Sequence, residues 1–222
     1  MMAAHFDLLA FDYRGMGRSA PVSEPYTMAD VAADVEALLD SVGWDATAVA
    51  GLSFGGMVAQ EFAVTFPDRV TRLALLCTSP GGDFASYPLD RLASMPDAQR
   101  ARLAMELCDR RWTPDWLAAH PDQVAFAAAM AGDAATESPA HATGRMLQLQ
   151  ARKGHDVLDR LHRITCPTFV ASGRYDDIAP VVNGQAIAER VPGAEFHVYD
   201  GGHPFVMQDP AAWPDVEAFL LG

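Results

Sequence analysis

The sequence predicts an α/β fold on a parallel sheet, interrupted by one inserted helical segment. Three observations carry this. Short apolar runs alternate with helical stretches up to Cys77. The alternation stops after Gly81, where only helix-type periodicity follows to about residue 163. It resumes at Pro167 with two further apolar runs and their connecting helices. Strand–helix alternation implies βαβ units and hence parallel pairing.

Phe6 to Phe11 is the first apolar run and reads as a buried parallel strand. A glycine-rich loop follows, Asp12-Tyr13-Arg14-Gly15-Met16-Gly17-Arg18-Ser19, in which Asp12 and Arg14 are expected to tie the loop down. Thr27 and Asp30 stand at capping-box spacing. Behind them Val31, Val35, Leu38, Leu39 and Val42 form one helical stripe, which Gly43 ends. Thr47 to Leu52 reads as a strand, the stretch after Ser53 as a helix stopping before Pro67, and Val70 to Cys77 as a third strand. Arg100 to Arg111, Pro114 to Ala131 and Ser138 to Lys153 read as helices, with Met105, Cys108 and Trp112 as a stripe of their core. Pro167 to Gly173 and Glu195 to Tyr199 are the last two strands; Val181 to Val191 and Ala211 to Leu221 are helices. The expected division is a core of residues 1–80 and 164–222 with a helical cap, or lid, at 81–163.

The chain has 222 residues, half of them hydrophobic and a fifth charged, enough for one sizeable core. Its net charge of −13 argues against nucleic acid and anionic membrane surfaces as partners. Three widely spaced cysteines, Cys77, Cys108 and Cys166, suit neither a disulfide framework nor a zinc site. No leader-like start and no run near the roughly 20 apolar residues of a membrane span is seen. The expectation is a cytoplasmic protein. No metal-type histidine pair or carboxylate cluster occurs, and no cofactor is expected.

The chemistry concentrates at Gly51-Leu52-Ser53-Phe54-Gly55. This is G-x-S-x-G between an apolar strand and a helix. About one random chain in twenty of this length would carry the pentapeptide, so its setting matters more than its letters. A sharp strand-to-helix turn needs small neighbours and lifts the serine hydroxyl toward the free N–H groups of the helix. Reactive groups in parallel sheets collect at the carboxyl ends of strands. Ser53, Asp176 and His203 all fall there, in the order Ser, Asp, His. A neutral imidazole can take the hydroxyl proton, a carboxylate can hold the imidazole, and the Phe54 N–H can serve a developing oxyanion. Asp177 remains open as the acid in place of Asp176. His197 reads as a surface residue, and His5, His120, His141, His155 and His162 receive no role.

These motifs, with Pro67-Asp68-Arg69-Val70, Gly173-Arg174-Tyr175-Asp176-Asp177-Ile178-Ala179-Pro180 and Gly201-Gly202-His203, make the chain resemble the α/β-hydrolase-fold proteins that carry a lid. That group includes 3-oxoadipate enol-lactonases and related esterases. The resemblance implies that Asp176, three residues after the glycine, is the acid of the triad. It implies a serine hydrolase acting on an ester or lactone of a small molecule through an acyl-enzyme.

The resemblance also implies three strands and a helix ahead of the Phe6 run, the third strand lying between that run and the strand before Ser53. A His-Gly loop after it would supply the second oxyanion donor. Neither stands ahead of Phe6 in this sequence, so the sheet is expected to be N-terminally truncated. The Phe6 run must then pair with the Ser53 strand, or both must expose buried-type edges. The start then belongs further upstream, or a second copy of the chain covers the open face. The alternative is a catalytically weak or inactive hydrolase-like binding protein.

Overall fold

A computed structural model of the chain describes residues 4–130 and 138–222. In chain order these are α1 (Met28–Val42), β1 (Thr47–Leu52), α2 (Phe54–Thr65), β2 (Val70–Leu76), α3 (Asp97–Cys108), α4 (Pro114–Ala119), α5 (Pro121–Met130), α6 (Pro139–Lys153), β3 (Thr168–Gly173), α7 (Val181–Ala188), β4 (Glu195–Tyr199), α8 (Phe205–Gln208) and α9 (Ala212–Leu221). Residue 131, the end of one predicted helix, lies outside the described residues.

The four strands form one sheet in the order β1-β2-β3-β4, every pair parallel. The two-residue period of a strand divides the core into two layers. Leu73, Leu75 and Val170 face one side, against Ala59, Phe62 and Ala63 of α2 and Ile187 of α7. Ala74, Leu76, Phe169 and Ala171 face the other, against Ala212, Val216 and Leu220 of α9.

Local chemistry sets the helix ends. The Thr27 hydroxyl accepts from the Asp30 N–H at 3.2 Å, and the Asp30 carboxylate accepts from the Thr27 N–H at 2.7 Å. Gly43 closes α1 at φ 74°. Pro121 divides the second predicted helix of the insertion into α4 and α5, because its ring cannot continue the preceding turn. Trp112 is buried and meets Phe126 of α5 edge-on, with ring centroids 5.7 Å apart. Among the described residues, no helix is long and apolar enough to cross a membrane.

The predicted first strand is a correction. Residues 7–13 run without joining the sheet, and Leu8 is 51% exposed rather than buried. A strand is defined by its ladder, and this run makes none with the described strands. A groove of about 360 Å³, walled by Leu9, Phe11, Val49 and Ala50 among others, separates the run from β1. Both sides therefore expose apolar surface, and β1 is an edge. The loop after the run is tied down as expected. Arg14 pairs with Asp34 through two bonds of 2.6 Å, and the Asp12 carboxylate accepts the Arg18 N–H at 2.9 Å.

Candidate active site

Ser53 occupies the turn between β1 and α2 at φ 54°, ψ −116°. A non-glycine residue there carries strain of about 1–3 kcal/mol, which its surroundings must hold. They do so from three sides. The Ser53 N–H donates to the Leu76 carbonyl at 2.9 Å. Its own carbonyl accepts from the Gly56 and Met57 N–H groups and from the Thr78 hydroxyl at 2.8 Å. Gly51 is obligatory because a Cβ there would collide with the Gly55 carbonyl. Phe54 begins α2, so its N–H has no intrahelical acceptor.

The structure brings the three predicted side chains together. The Ser53 hydroxyl lies 2.8 Å from His203 Nε2, and His203 Nδ1 lies 2.7 Å from Asp176 Oδ2. The carboxylate neighbour assigns the imidazole proton to Nδ1, which leaves Nε2 to accept from the hydroxyl. Asp176 is 1% exposed, and its other oxygen accepts the N–H groups of Ile178 (2.8 Å) and Ala179 (2.9 Å). The carboxylate is thus held on both oxygens. Asp177 points elsewhere: it is half-exposed and pairs with Arg110 at 3.3 Å. His197 stays on β4, stacked on Phe169 at 4.6 Å and remote from this relay.

Two cysteines lie close by without joining in. Burial, followed by the nearby Asp176 carboxylate, raises the Cys77 thiol well above its usual range. The same causes in the same order push Cys108 up to about 11. Both stay protonated near neutral pH and are poor nucleophiles.

Comparison with known proteins agrees with the geometry. A family model described as alpha/beta hydrolase fold matches residues 2–210. The chain belongs to the alpha/beta hydrolase family. The poly(3-hydroxyalkanoate) depolymerase of Ectopseudomonas oleovorans is 29% identical over 224 residues, spanning 96% of this chain and 75% of that protein. 3-oxoadipate enol-lactonase 2 of Acinetobacter baylyi is 26% identical over 206 residues, spanning 93% and 75%. The crystal structure of a hydrolase from Pseudomonas aeruginosa PA01 is 29% identical with a TM-score of 0.79, covering all of this chain and 82% of that one. These relatives support hydrolase chemistry for this alpha/beta hydrolase.

Sequence reasoning missed the segment that clamps the relay in this alpha/beta hydrolase. Leu107 to Trp112, at and beyond the end of α3, touches both loops of the site. The Cys108 carbonyl accepts the His203 N–H at 2.5 Å, and the Leu107 carbonyl accepts the Asp177 N–H at 3.1 Å. Arg110 N–H donates to the Tyr175 carbonyl at 3.0 Å, and Arg111 lies 4.1 Å above the Tyr175 ring. Asp109 is fully buried, held by Arg111 at 2.6 Å and by the Gln208 amide at 2.9 Å. Gly202 admits this contact, since a Cβ there would strike the Cys108 carbonyl. The only hint in the sequence is the pairing of acid and base in Asp109-Arg110-Arg111 beside an aromatic.

Proposed function

We propose that this chain is a serine hydrolase acting on an ester or lactone of a small molecule. The observation that carries the reading is the continuous relay from Ser53 Oγ through His203 to Asp176, at 2.8 and 2.7 Å. The Ser53 oxygen attacks the substrate carbonyl carbon while its proton passes to His203 Nε2. The carbonyl oxygen gains negative charge facing the Phe54 N–H at the start of α2. The bond to the leaving oxygen then breaks, and that oxygen takes the proton from His203. Water repeats the sequence in reverse: His203 removes its proton, the hydroxide oxygen attacks the acyl carbon, and Ser53 leaves reprotonated. Asp176 keeps the imidazole oriented and stabilises its protonated form throughout. The helical insertion at 81–163 acts as the lid that shapes the substrate site. Relatives named for a poly(3-hydroxyalkanoate) depolymerase and an enol-lactonase support the ester or lactone reading, beside others named putative carbamate hydrolases.

Intact-mass measurement after incubation with a fluorophosphonate tests this. Wild type gains one phosphonyl group and Ser53→Ala gains none. An unmodified wild type would remove the claim of an activated serine.

One observation favours a second reading, a hydrolase-like protein that binds but turns over little. The strand holding Ser53 is the edge of the sheet, with Leu52 41% exposed. An unsupported strand relaxes the preorganisation on which oxyanion stabilisation depends. Ester turnover that disappears in His203→Ala would exclude it.

A further inference from the structure

His203 reaches Ser53 and Asp176 from residues 201–204, which belong to no strand or helix. A ring carried on a loop is only as well placed as the loop itself. On one side this loop rests on the end of β3. A Cβ on Gly173 would strike the Gly202 carbonyl, and the Tyr175 N–H donates to the Gly201 carbonyl at 2.8 Å. On the other side lies the clamp, where the Cys108 carbonyl accepts the His203 N–H.

The Gly202 N–H is left over by both. Gly202 is buried, and a buried N–H without an acceptor is costly. Its acceptor is a side chain, Gln208 Oε1 at 2.7 Å. The single turn of α8 starts two residues after His203 and brings Gln208 back over the loop. Gly201 leaves room for the amide, since a Cβ there would come within 2.7 Å of Gln208 Oε1. The other end of the amide, Nε2, donates to Asp109 Oδ2 at 2.9 Å, and Arg111 holds Asp109 in turn. The two ends cannot be exchanged, because Gly202 offers only a donor and the Asp109 carboxylate only acceptors.

A chain of hydrogen bonds therefore runs from Arg111 through Asp109 and Gln208 to the residue before His203. It ties the catalytic loop to the insertion. A glutamine is the side chain that fits between them. Glutamate has no proton for Asp109, methionine offers neither group, and asparagine is one carbon short.

We propose that Gln208 is a positioning residue for His203, holding its loop to the buried Asp109 of the insertion so that Nε2 stands at the Ser53 hydroxyl. The inference rests on the relay of Ser53, His203 and Asp176 as the working site. Gln208 hydrogen-bonds to none of the three and acts through the Gly202 backbone. A displacement of about 1 Å at a reacting group can cost about a hundredfold in rate.

Two readouts on the full chain test this. One is the rate of fluorophosphonate labelling. The other is nitrogen NMR of the His203 ring, which reports the nitrogen that carries the proton; in wild type Asp176 keeps it on Nδ1. Gln208→Met should label about tenfold to a hundredfold more slowly, and its His203 proton should spread to Nε2. A merely structural contact would lower Tm and leave both readouts where they are. Gln208→Glu sets a second carboxylate against Asp109 and should label as slowly. Adding Asp109→Asn to it re-forms the chain with donor and acceptor exchanged and keeps one carboxylate beside Arg111. That double variant should recover most of the labelling rate, and it serves if Gln208→Met does not fold. A folded Gln208→Met with the wild-type labelling rate and ring proton would overturn the proposal. So would a double variant no faster than Gln208→Glu alone. A wild type that takes no label but keeps its proton on Nδ1 would remove the hydrolase reading, and the ring proton of Gln208→Met would still decide this one.

Discussion

Asp176 and Asp177 are neighbours in sequence and opposites in setting. Asp176 is buried with both oxygens committed, one to His203 and one to two backbone N–H groups. Asp177 stands in solvent with Arg110. Replacing each by asparagine separates the two roles. Asp176→Asn keeps the shape of the side chain but can offer an amide where His203 Nδ1–H needs an acceptor. That favours the wrong tautomer, and kcat for ester hydrolysis should fall by about 10⁴. Asp177→Asn breaks only an exposed pair, worth under about 1 kcal/mol, and kcat should stay within about twofold. Comparable losses in both variants, measured by steady-state kinetics, would contradict the assignment. The sequence alone left this pair open, because an acid before a helix also reads as a cap. Only the three-residue spacing from Gly173 in the resembling family favoured Asp176.

At the scale of elements, legibility followed the range of the interaction. The capping box of α1, the glycine stop at Gly43 and the turn at Ser53 are local, and each was readable from a few neighbouring residues. The clamp at 107–112 was not, because it is made by carbonyls and a buried acid meeting loops over 60 residues away. Its buried pair gives a sharp prediction. Asp109 has no exposure of its own and relies on Arg111 at 2.6 Å. Arg111→Met keeps the length of the side chain and removes its charge, leaving a buried carboxylate short of a partner. That should cost about 3–5 kcal/mol in urea unfolding. Ester turnover should fall with it, since the same segment holds the His203 N–H. Arg18, which is 97% exposed and 3.7 Å from Asp12, provides the contrast. Arg18→Met should change stability by no more than about 0.5 kcal/mol. Equal costs in the two variants would show that the clamp contributes no stability.

Across the whole molecule, the parallel pairing of the sheet was legible because strands alternate with helices along the chain. Whether an apolar run finds a partner strand is not a property of the run. Phe6 to Phe11 has a strand's composition and stays outside the sheet, while Thr47 to Leu52 has a central strand's composition and forms an edge. The result is a groove of about 360 Å³ with exposed apolar walls and unpaired β1 backbone. Such an edge is a template for pairing with another chain. The molecule should therefore self-associate as its concentration rises, with β1 at the contact. Ala50 is exposed on β1 and lines the groove. A lysine there places a charge on the edge without touching Ser53, Asp176 or His203, the device by which natural edge strands avoid pairing. Light scattering coupled to size exclusion should show wild type shifting above monomer mass with loading concentration and Ala50→Lys remaining monomeric. Fluorophosphonate labelling of Ala50→Lys should persist, which separates loss of association from loss of the fold. A wild type that stays monomeric across the range, or an Ala50→Lys protein that associates equally, would place the self-association elsewhere or nowhere. The first outcome would mean that the Phe6 run shields the edge well enough without a ladder.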